Sequence, residues 1–97
     1  MIIANKELLE RFVSSHANVI KPLNKWITEV QRAKWSNHND LKQMFPNADY
    51  VKNGRYVFNI GGNNVRIVAV VLFVGGVMVI RFIGTHSEYD KIDCSTI

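Results

Sequence analysis

Residues 55–85 of this chain, RYVFNIGGNNVRIVAVVLFVGGVMVIRFIGT, decide its fold. Three runs rich in valine and isoleucine alternate with two glycine-rich turns, a pattern typical of consecutive antiparallel strands. The run before the first turn extends back to Tyr50, so the first strand region is longer than the quoted stretch. We therefore predict three strand regions, over 50–60, 65–74 and 77–84.

The turns between these strands set which residues lie opposite each other. Asn53-Gly54 is a turn signal inside the first region and divides it in two. We expect a four-residue turn at 61–64 and a two-residue hairpin at Gly75-Gly76. Directly paired residues share a face of the sheet, so these turns predict the composition of both faces.

One face of the predicted sheet collects polar residues on an apolar floor. In this register Arg66 lies opposite both Asn59 and Thr85. The polar residues of this face are then Arg55, Asn59, Arg66, Arg81 and Thr85. The other face is uniformly apolar and is expected to pack against helices. The alternative is that the arginines are ordinary solvent-facing residues that pair with the carboxylates of Glu29, Glu88 or Asp90.

The first half of the chain has a helical pattern, because apolar residues recur there at three- and four-residue steps. We expect a helix capped by Asn5, a second beginning near Asn18, and a short third after Ser36 or Asn37. The predicted core residues on these helices are Leu8, Phe12, Leu23, Ile27 and Val30. Helices followed by an antiparallel sheet predict an α+β fold, and 97 residues fit one domain over 1–97.

The charge distribution favours a polyanionic partner. The net charge is +4, and between Tyr50 and Ser87 the chain has four cations and no carboxylate. The valine-rich run 65–83 is broken by arginines and glycines, so it is read as strands rather than a membrane helix. The one cysteine, Cys94, excludes an internal disulfide and is interpreted as a spectator. Without a signal-peptide pattern, the expected location is the cytoplasm, with no membrane partner.

Residues 85–91, THSEYDK, follow the last strand and offer an imidazole, a phenol, carboxylates and an amine. Such groups can supply the acid and the base of RNA cleavage, while cations stabilise the charge on the reacting phosphate. No clustered metal ligands and no phosphate-binding loop are present, so we expect neither a metal nor another cofactor. His16 and His38, at a helix end and start, are interpreted as surface residues.

Three stretches resemble the HigB-type toxins of toxin-antitoxin systems. Residues 56–66, YVFNIGGNNVR, are similar to their VFNIGGN-x-x-R stretch, and residues 80–90, IRFIGTHSEYD, to their IR-x-x-x-TH-x-EYD ending. Asp40-Leu41-Lys42 with FPNAD at 45–49 is similar as well. The resemblance implies a RelE-like fold, in which a small antiparallel sheet is backed by helices.

The resemblance also implies an activity and partners. It implies an mRNA interferase that acts on translated messages at the ribosome. It further implies a neutralising HigA-type antitoxin, whose helix-turn-helix domain represses the shared operon, so that operator DNA is bound only through the antitoxin.

The site implied by the resemblance overlaps the polar face. The catalytic positions carried over are Arg66, Arg81, His86 and Tyr89, and which is acid and which is base stays open. The RNA-binding candidates are Lys52, Arg55, Asn59, Thr85 and Lys91. Two other functions remain open: a non-catalytic RNA-binding or ribosome-stalling module, and a ParE-like inhibitor of a DNA enzyme. A histidine and a tyrosine after the last strand favour RNA chemistry over both.

Overall fold

The computed structural model describes residues 1–62 and 64–97. Its helices are α1 (Glu7–Ser15), α2 (Ile20–Arg32), α3 (His38–Met44) and α4 (His86–Tyr89), with a 3-10 turn at Ala17–Val19. Its strands are β1 (Ile2–Ala4), β2 (Asp49–Lys52), β3 (Arg55–Ile60), β4 (Val65–Leu72) and β5 (Val77–Thr85). The strands form one sheet in the order β1-β5-β4-β3-β2. The predicted α+β fold is confirmed.

The sheet is antiparallel except at one edge. β1, which the sequence analysis did not predict, runs parallel to β5 and places Ile3 opposite Met78. Three residues without a turn signal are too short a pattern to identify as a strand. Through this added strand the first residues of the chain contribute a buried side chain, Ile3, to the core.

The predicted capping of two helices had different outcomes. Asn37 caps α3 as expected, because its side-chain oxygen accepts a hydrogen bond from the Asp40 backbone N–H at 3.0 Å. Asn5 does not cap α1, so that prediction was wrong. It has a left-handed backbone with φ of 69°, and its side-chain amide donates to the Ile80 carbonyl at 2.9 Å. Asn5 therefore ties the β1–α1 turn to β5.

The register between β3 and β4 is the one predicted. Asn59 lies opposite Arg66, and Arg55 lies opposite Val70. The turn at 61–64 therefore closes this pair of strands, although one of its residues, Asn63, lies outside the described residues. Asn53-Gly54 also forms the expected turn, with left-handed φ values of 52° and 78° that suit a two-residue hairpin.

The register between β4 and β5 differs from the prediction. Leu72 lies opposite Val77, so four residues rather than two close this hairpin. Val70 consequently faces Val79 and not Arg81. A bulge then adds Arg81 to β5 between the pairs that join Ala69 to Ile80 and Val68 to Phe82. Beyond the bulge, Arg66 faces Gly84 and not Thr85.

The bulge exchanges the two faces over the last residues of β5. Ile83 and Thr85, predicted on the arginine face, pair with Ile67 and Val65 of the helix-covered face. Phe82, predicted on the helix-covered face, shares the face of Arg66 instead. Its ring lies over Gly84, where a β-carbon would be 2.5 Å from the Phe82 Cζ atom.

The core lies between the helices and one face of the sheet. The buried sheet residues there include Phe58, Ile67, Ala69, Met78 and Ile80. Phe12, Leu23 and Val30 are buried as predicted, whereas Leu8 and Ile27 are only partly buried. Leu9, which follows Leu8, and Trp26, which precedes Ile27, are buried in their place. The helical stripes were thus predicted correctly but are rotated slightly toward these neighbours.

Candidate active site

The central part of the second face of the sheet is covered by residues 86–97, which we call the tail segment. Tyr89 of this segment contacts Arg66, and Ile97 contacts Arg55. Beneath it Val57 and Val68 are buried, and only 8 % of the Arg66 surface is exposed. The predicted face therefore exists in its β3 and β4 part, but it is a covered surface rather than an open basic one.

A capping box turns the chain from β5 into α4. The Thr85 hydroxyl accepts from the Glu88 backbone N–H at 3.2 Å, and the Glu88 carboxylate accepts from the Thr85 N–H at 2.8 Å. The hydrogen bond from Thr85 also lowers the pKa of Glu88, so this residue is a carboxylate at neutral pH. The spacing Thr-x-x-Glu was a readable helix signal that the sequence analysis missed.

α4 brings Tyr89 to Arg66. The guanidinium carbon of Arg66 lies 5.9 Å from the centre of the Tyr89 ring, a distance at which a cation is attracted to an aromatic face. Arg66 is held in the middle of the sheet by pairing with Asn59 on one side and Gly84 on the other. Two of the four predicted catalytic residues thus meet at the covered face.

The environment of Tyr89 keeps its hydroxyl protonated. A hydrogen bond with the Cys94 sulfur at 3.4 Å, together with burial, raises the pKa of Tyr89 to about 12, against an opposing effect of Arg66. A phenol in this state is a proton donor at neutral pH and not a general base. Cys94, interpreted as a spectator, thus contacts a predicted catalytic residue, and no signal in the sequence pointed to this contact.

His86 is an accessible member of the predicted catalytic set. It begins α4, one helical turn before Tyr89, and its side chain is 55 % exposed. Its Nδ1 atom lies 3.5 Å from a carboxylate oxygen of Asp90. Residues three apart lie on neighbouring positions of a helix surface, so α4 presents the imidazole and the phenol together. Lys91, an exposed RNA-binding candidate, follows at the end of this helix.

Arg81 lies apart from this group. The bulge leaves it without a partner on β4, and it is exposed beside Leu8, Arg11 and Phe12 of α1. We predicted that Arg81 pairs with Val70 on the face of Arg66, and this prediction is wrong because Val70 pairs with Val79. Its assignment as a catalytic residue stays a prediction.

The remaining cations of the face have structural partners. Arg55 donates to the Ile97 carbonyl oxygen from Nε at 2.9 Å and from Nη2 at 2.6 Å, which fastens the end of the tail segment to β3. Lys52 lies near Asp93, whose pKa is lowered mainly by hydrogen bonds from Ser95 and further by the Lys52 charge. Asn59 is exposed and lines a separate hollow beside α2.

Neither a metal-binding cluster nor a membrane-spanning helix is found in the part of the chain that the structure describes. Across residues 1–62 and 64–97, no group of three or more histidine, cysteine or acidic side chains is arranged to hold a metal ion. Within the same ranges, none of the helices is both long and apolar enough to cross a lipid bilayer.

Comparison with a family model gives a match over most of the chain. Residues 20–92 match the model of the HigB toxin, described as the RelE-like toxic component of a toxin-antitoxin system. The matched range contains all the predicted site residues and omits only the two ends of the chain. It therefore covers α2, α3, strands β2 to β5 and α4.

Individual relatives agree with this match. The chain is 31 % identical over 94 residues to the mRNA interferase HigB of Escherichia coli O6:H1, which covers 95 % of this chain and 91 % of that protein. It is 40 % identical over 63 residues to the mRNA interferase toxin HigB of Escherichia coli K12, covering 63 % of this chain and 61 % of that protein. An mRNA interferase HigB of Shigella flexneri matches to the same extent.

Proposed function

The chain belongs to the HigB toxin family, and from this premise we propose that it is an endoribonuclease that cleaves messenger RNA. The observation that carries the proposal is the contact of Arg66 with the protonated phenol of Tyr89. The accessible imidazole of His86 lies one helical turn before that phenol on α4. The names of the relatives, mRNA interferases, supply the class of substrate.

The proposed reaction is a transfer of the phosphate within the RNA strand. The 2′-oxygen of a ribose attacks the neighbouring phosphorus while the bond from phosphorus to the 5′-oxygen breaks. The products are a 2′,3′-cyclic phosphate and a free 5′-hydroxyl. One proton leaves the 2′-hydroxyl and one joins the 5′-oxygen, so the reaction needs a base and an acid.

We assign these two roles from the environments of the side chains. His86 is exposed and, as a neutral imidazole, accepts the proton of the 2′-hydroxyl. Tyr89, which its surroundings keep protonated, donates to the leaving 5′-oxygen. Arg66 lies against the Tyr89 ring, where its charge stabilises both the phosphorane and the phenolate that forms on donation. Because base, acid and positive charge all come from side chains, the proposed cleavage is metal-independent.

The proposed setting is the translating ribosome in the cytoplasm. With Arg66 8 % exposed and Arg55 bonded to the tail segment, the face offers little surface to capture free RNA by itself. A message that the ribosome already holds can be cleaved without first being captured by this face. The proposed neutralising partner is a HigA-type antitoxin with a helix-turn-helix domain, through which alone the pair contacts operator DNA.

Primer extension on cellular messages after brief induction of the chain tests the proposed cleavage. We expect new 5′ ends within coding regions for the wild-type chain and none for Arg66→Ala. Growth arrest without new 5′ ends would assign a ribosome-stalling function instead. Arrest accompanied by DNA damage and intact messages would assign a ParE-like function.

The proposed ribosome dependence and metal independence are tested with purified components. Cleavage of a purified message should require added ribosomes and should persist in the presence of a metal chelator. Cleavage of free RNA at an equal rate would contradict ribosome dependence, and loss of cleavage with the chelator would contradict metal independence.

A further inference from the structure

Residues 93–97 form the last part of the tail segment and lie against two side chains of the proposed RNA site. We call these five residues the strap. Cys94 of the strap contacts the hydroxyl of Tyr89, the proposed acid. Ile97 contacts the guanidinium of Arg55, an RNA-binding candidate. The strap therefore lies where the RNA substrate has to approach.

The strap occupies the edge of Arg55 with which a guanidinium binds phosphate. Both Nε, at 2.9 Å, and Nη2, at 2.6 Å, donate to the Ile97 carbonyl oxygen. Nη1 donates to the Asn53 carbonyl at 3.0 Å, within the turn between β2 and β3. Phosphate oxygens bind arginine through two parallel hydrogen bonds from one edge of the guanidinium. Arg55 can therefore hold either Ile97 or an RNA phosphate at this edge, and not both.

The strap also takes a place next to the Tyr89 hydroxyl. The Cys94 Sγ atom lies 3.4 Å from the hydroxyl oxygen, and the two groups share a hydrogen bond. To protonate the leaving 5′-oxygen of the RNA, the hydroxyl must instead form a hydrogen bond of about 3 Å with that oxygen. The sulfur of Cys94 and the carbonyl of Ile97 are thus two groups of the strap that lie where the reaction needs RNA oxygens.

The charges of the tail segment complement those of the strands. Residues 86–97 carry three carboxylates and one lysine, whereas residues 50–85 carry four cations and no carboxylate. Hydrogen bonds from Ser95 chiefly, and the charge of Lys52 in addition, lower the pKa of Asp93, so this carboxylate of the strap is ionised at neutral pH. RNA brings the same negative charge in its phosphates. The strap thus resembles the substrate in charge as well as in position.

The strap can leave the sheet without opening the core. None of residues 86–97 is buried, and none of them belongs to the core cluster. The strap's own structure depends on hydrogen bonds among Asp93, Ser95 and Thr96, which are exposed. Segments with few buried apolar contacts and exposed hydrogen bonds open at a low cost in free energy. Helix α4 is held separately by its capping box, so Tyr89 can keep its place when the strap leaves.

We propose that the strap is an autoinhibitory element that competes with RNA for Arg55 and Tyr89, an inference that rests on the proposed function and deepens it. In the closed state the strap holds both side chains. An RNA strand displaces it, because a phosphate offers the two donors of Arg55 one oxygen each, where Ile97 presents a single oxygen to both. RNA shifts the chain toward the open state because it binds that state better than the closed one.

Chemical labelling of Cys94 tests the competition without depending on cleavage. Cys94 is the one cysteine of the chain, so its rate of alkylation by iodoacetamide, a neutral reagent, reports how often the strap is open. The probe is a single-stranded 2′-O-methyl RNA oligomer, which cannot be cut because its 2′-oxygens cannot attack. We expect a saturating amount of this oligomer to raise the labelling rate of the purified wild-type chain about fivefold or more. An unchanged or slower rate overturns the proposal.

A displaced cysteine serves as the control for labelling. The double variant Cys94→Ala with Ser36→Cys carries its thiol at an exposed position before α3, outside the strap. Its labelling rate should not change when the oligomer is added, which establishes that the reagent itself is unaffected by RNA.

Loosening the strap by substitution should act in the same direction. Ser95→Gly removes the hydroxyl that donates to the Asp93 carboxylate at 2.6 Å and leaves the charge of the strap unchanged. Without RNA its Cys94 should be labelled faster than in the wild type, and its affinity for the oligomer should be higher. We expect about fivefold for each, the effect of one hydrogen bond. Ser36→Gly makes the same substitution at an exposed serine outside the strap and should change neither.

Cys94→Ala separates competition from support of Tyr89. The variant loses the sulfur next to the hydroxyl and keeps the charge of the strap. If the strap competes with RNA, this variant binds the oligomer more tightly than the wild type and cleaves ribosome-bound message at least as fast. Weaker binding or slower cleavage by a variant that thermal unfolding shows to be folded would make Cys94 a support of Tyr89 and overturn autoinhibition.

The outcomes distinguish this proposal from the proposed function. An oligomer that binds without faster labelling of Cys94, or that binds neither the wild type nor Ser95→Gly, overturns the autoinhibitory strap whether or not messages are cleaved. Faster labelling with the oligomer, in a chain that cuts no message, leaves the strap standing and overturns the nuclease.

Discussion

The guanidinium of Arg66 and the ring of Tyr89 lie 5.9 Å apart, although the residues come from the middle of the sheet and from a helix after its last strand. The contact is made where the tail segment folds back over β4. It joins the positive charge and the proton donor of the proposed reaction, and it leaves His86 on the exposed side of the same helix.

Replacing Tyr89 by phenylalanine tests the proton-donor role. The ring over Arg66 is kept and only the hydroxyl is removed, so the fold should be unaffected. Because general acid catalysis contributes about 10²–10⁴-fold, we expect cleavage of ribosome-bound message to fall about 100-fold. Cleavage at the wild-type rate, measured by primer extension with reconstituted ribosomes, would remove Tyr89 from the mechanism.

The raised pKa of Tyr89 also predicts how stability depends on pH. Its pKa is about 12 in the folded chain against an ordinary value of 10.0 for tyrosine, so the folded state binds this proton more tightly than the unfolded state. The resulting stabilisation is complete below pH 10 and is lost as the pH rises through about 12.

Denaturant titrations between pH 9 and pH 12 measure this effect. We expect the free energy of unfolding of the wild-type chain to fall over this range. The free energy of unfolding of Tyr89→Phe should fall less steeply, because this variant lacks the titrating group. Tyr56 accounts for part of the remaining slope. Identical slopes for the two proteins would show that the Cys94 hydrogen bond and burial do not raise the pKa of Tyr89.

Loss of the Arg55 side chain should release the end of the tail segment. Arg55→Ala removes two hydrogen bonds to the Ile97 carbonyl, and hydrogen bonds from a charged donor contribute about 1.5–3 kcal/mol each at most. We expect faster amide hydrogen exchange over residues 93–97 with unchanged protection of β3 and β4. Arg81→Ala, which removes another arginine that lies beside α1, serves as the control and should leave exchange at Ile97 unaltered.

Gly84 is predicted to be intolerant of a side chain. A β-carbon there would lie 2.5 Å from the Phe82 ring, so Gly84→Ala should destabilise the fold by about 1–3 kcal/mol through forced repacking. Gly75→Ala is the matched control, since the nearest atom to its β-carbon is 3.9 Å away and its φ is not left-handed. Phe82→Leu should restore part of the loss in the double variant. Equal stability of both alanine variants in chemical denaturation would contradict the packing described.

The local sequence alone determined the helices α1 to α3, the strands β2 to β5 and half of the sheet register. The stripes of apolar residues set the helices, and Asn37 set the start of α3, because a cap acts through its immediate neighbours. Asn53-Gly54 and the turn at 61–64 set the pairing of β2, β3 and β4. Asn53, Gly54, Gly61 and Gly62 adopt left-handed backbone conformations there, which glycine and asparagine do at little cost. The resemblance to HigB-type toxins likewise rests on contiguous residues.

The tertiary structure alone decided the register of β5 and the cover over the arginine face. The bulge at Arg81 allows Ile80 and Ile83 both to pack on the helix side while Phe82 lies on the other, and that choice depends on which residues the helices offer. The contacts of Tyr89 with Arg66 and Cys94, and of Arg55 with Ile97, also join groups from different segments. Such contacts are decided by burial and by hydrogen-bonding partners in three dimensions, which periodicity and turn signals do not encode.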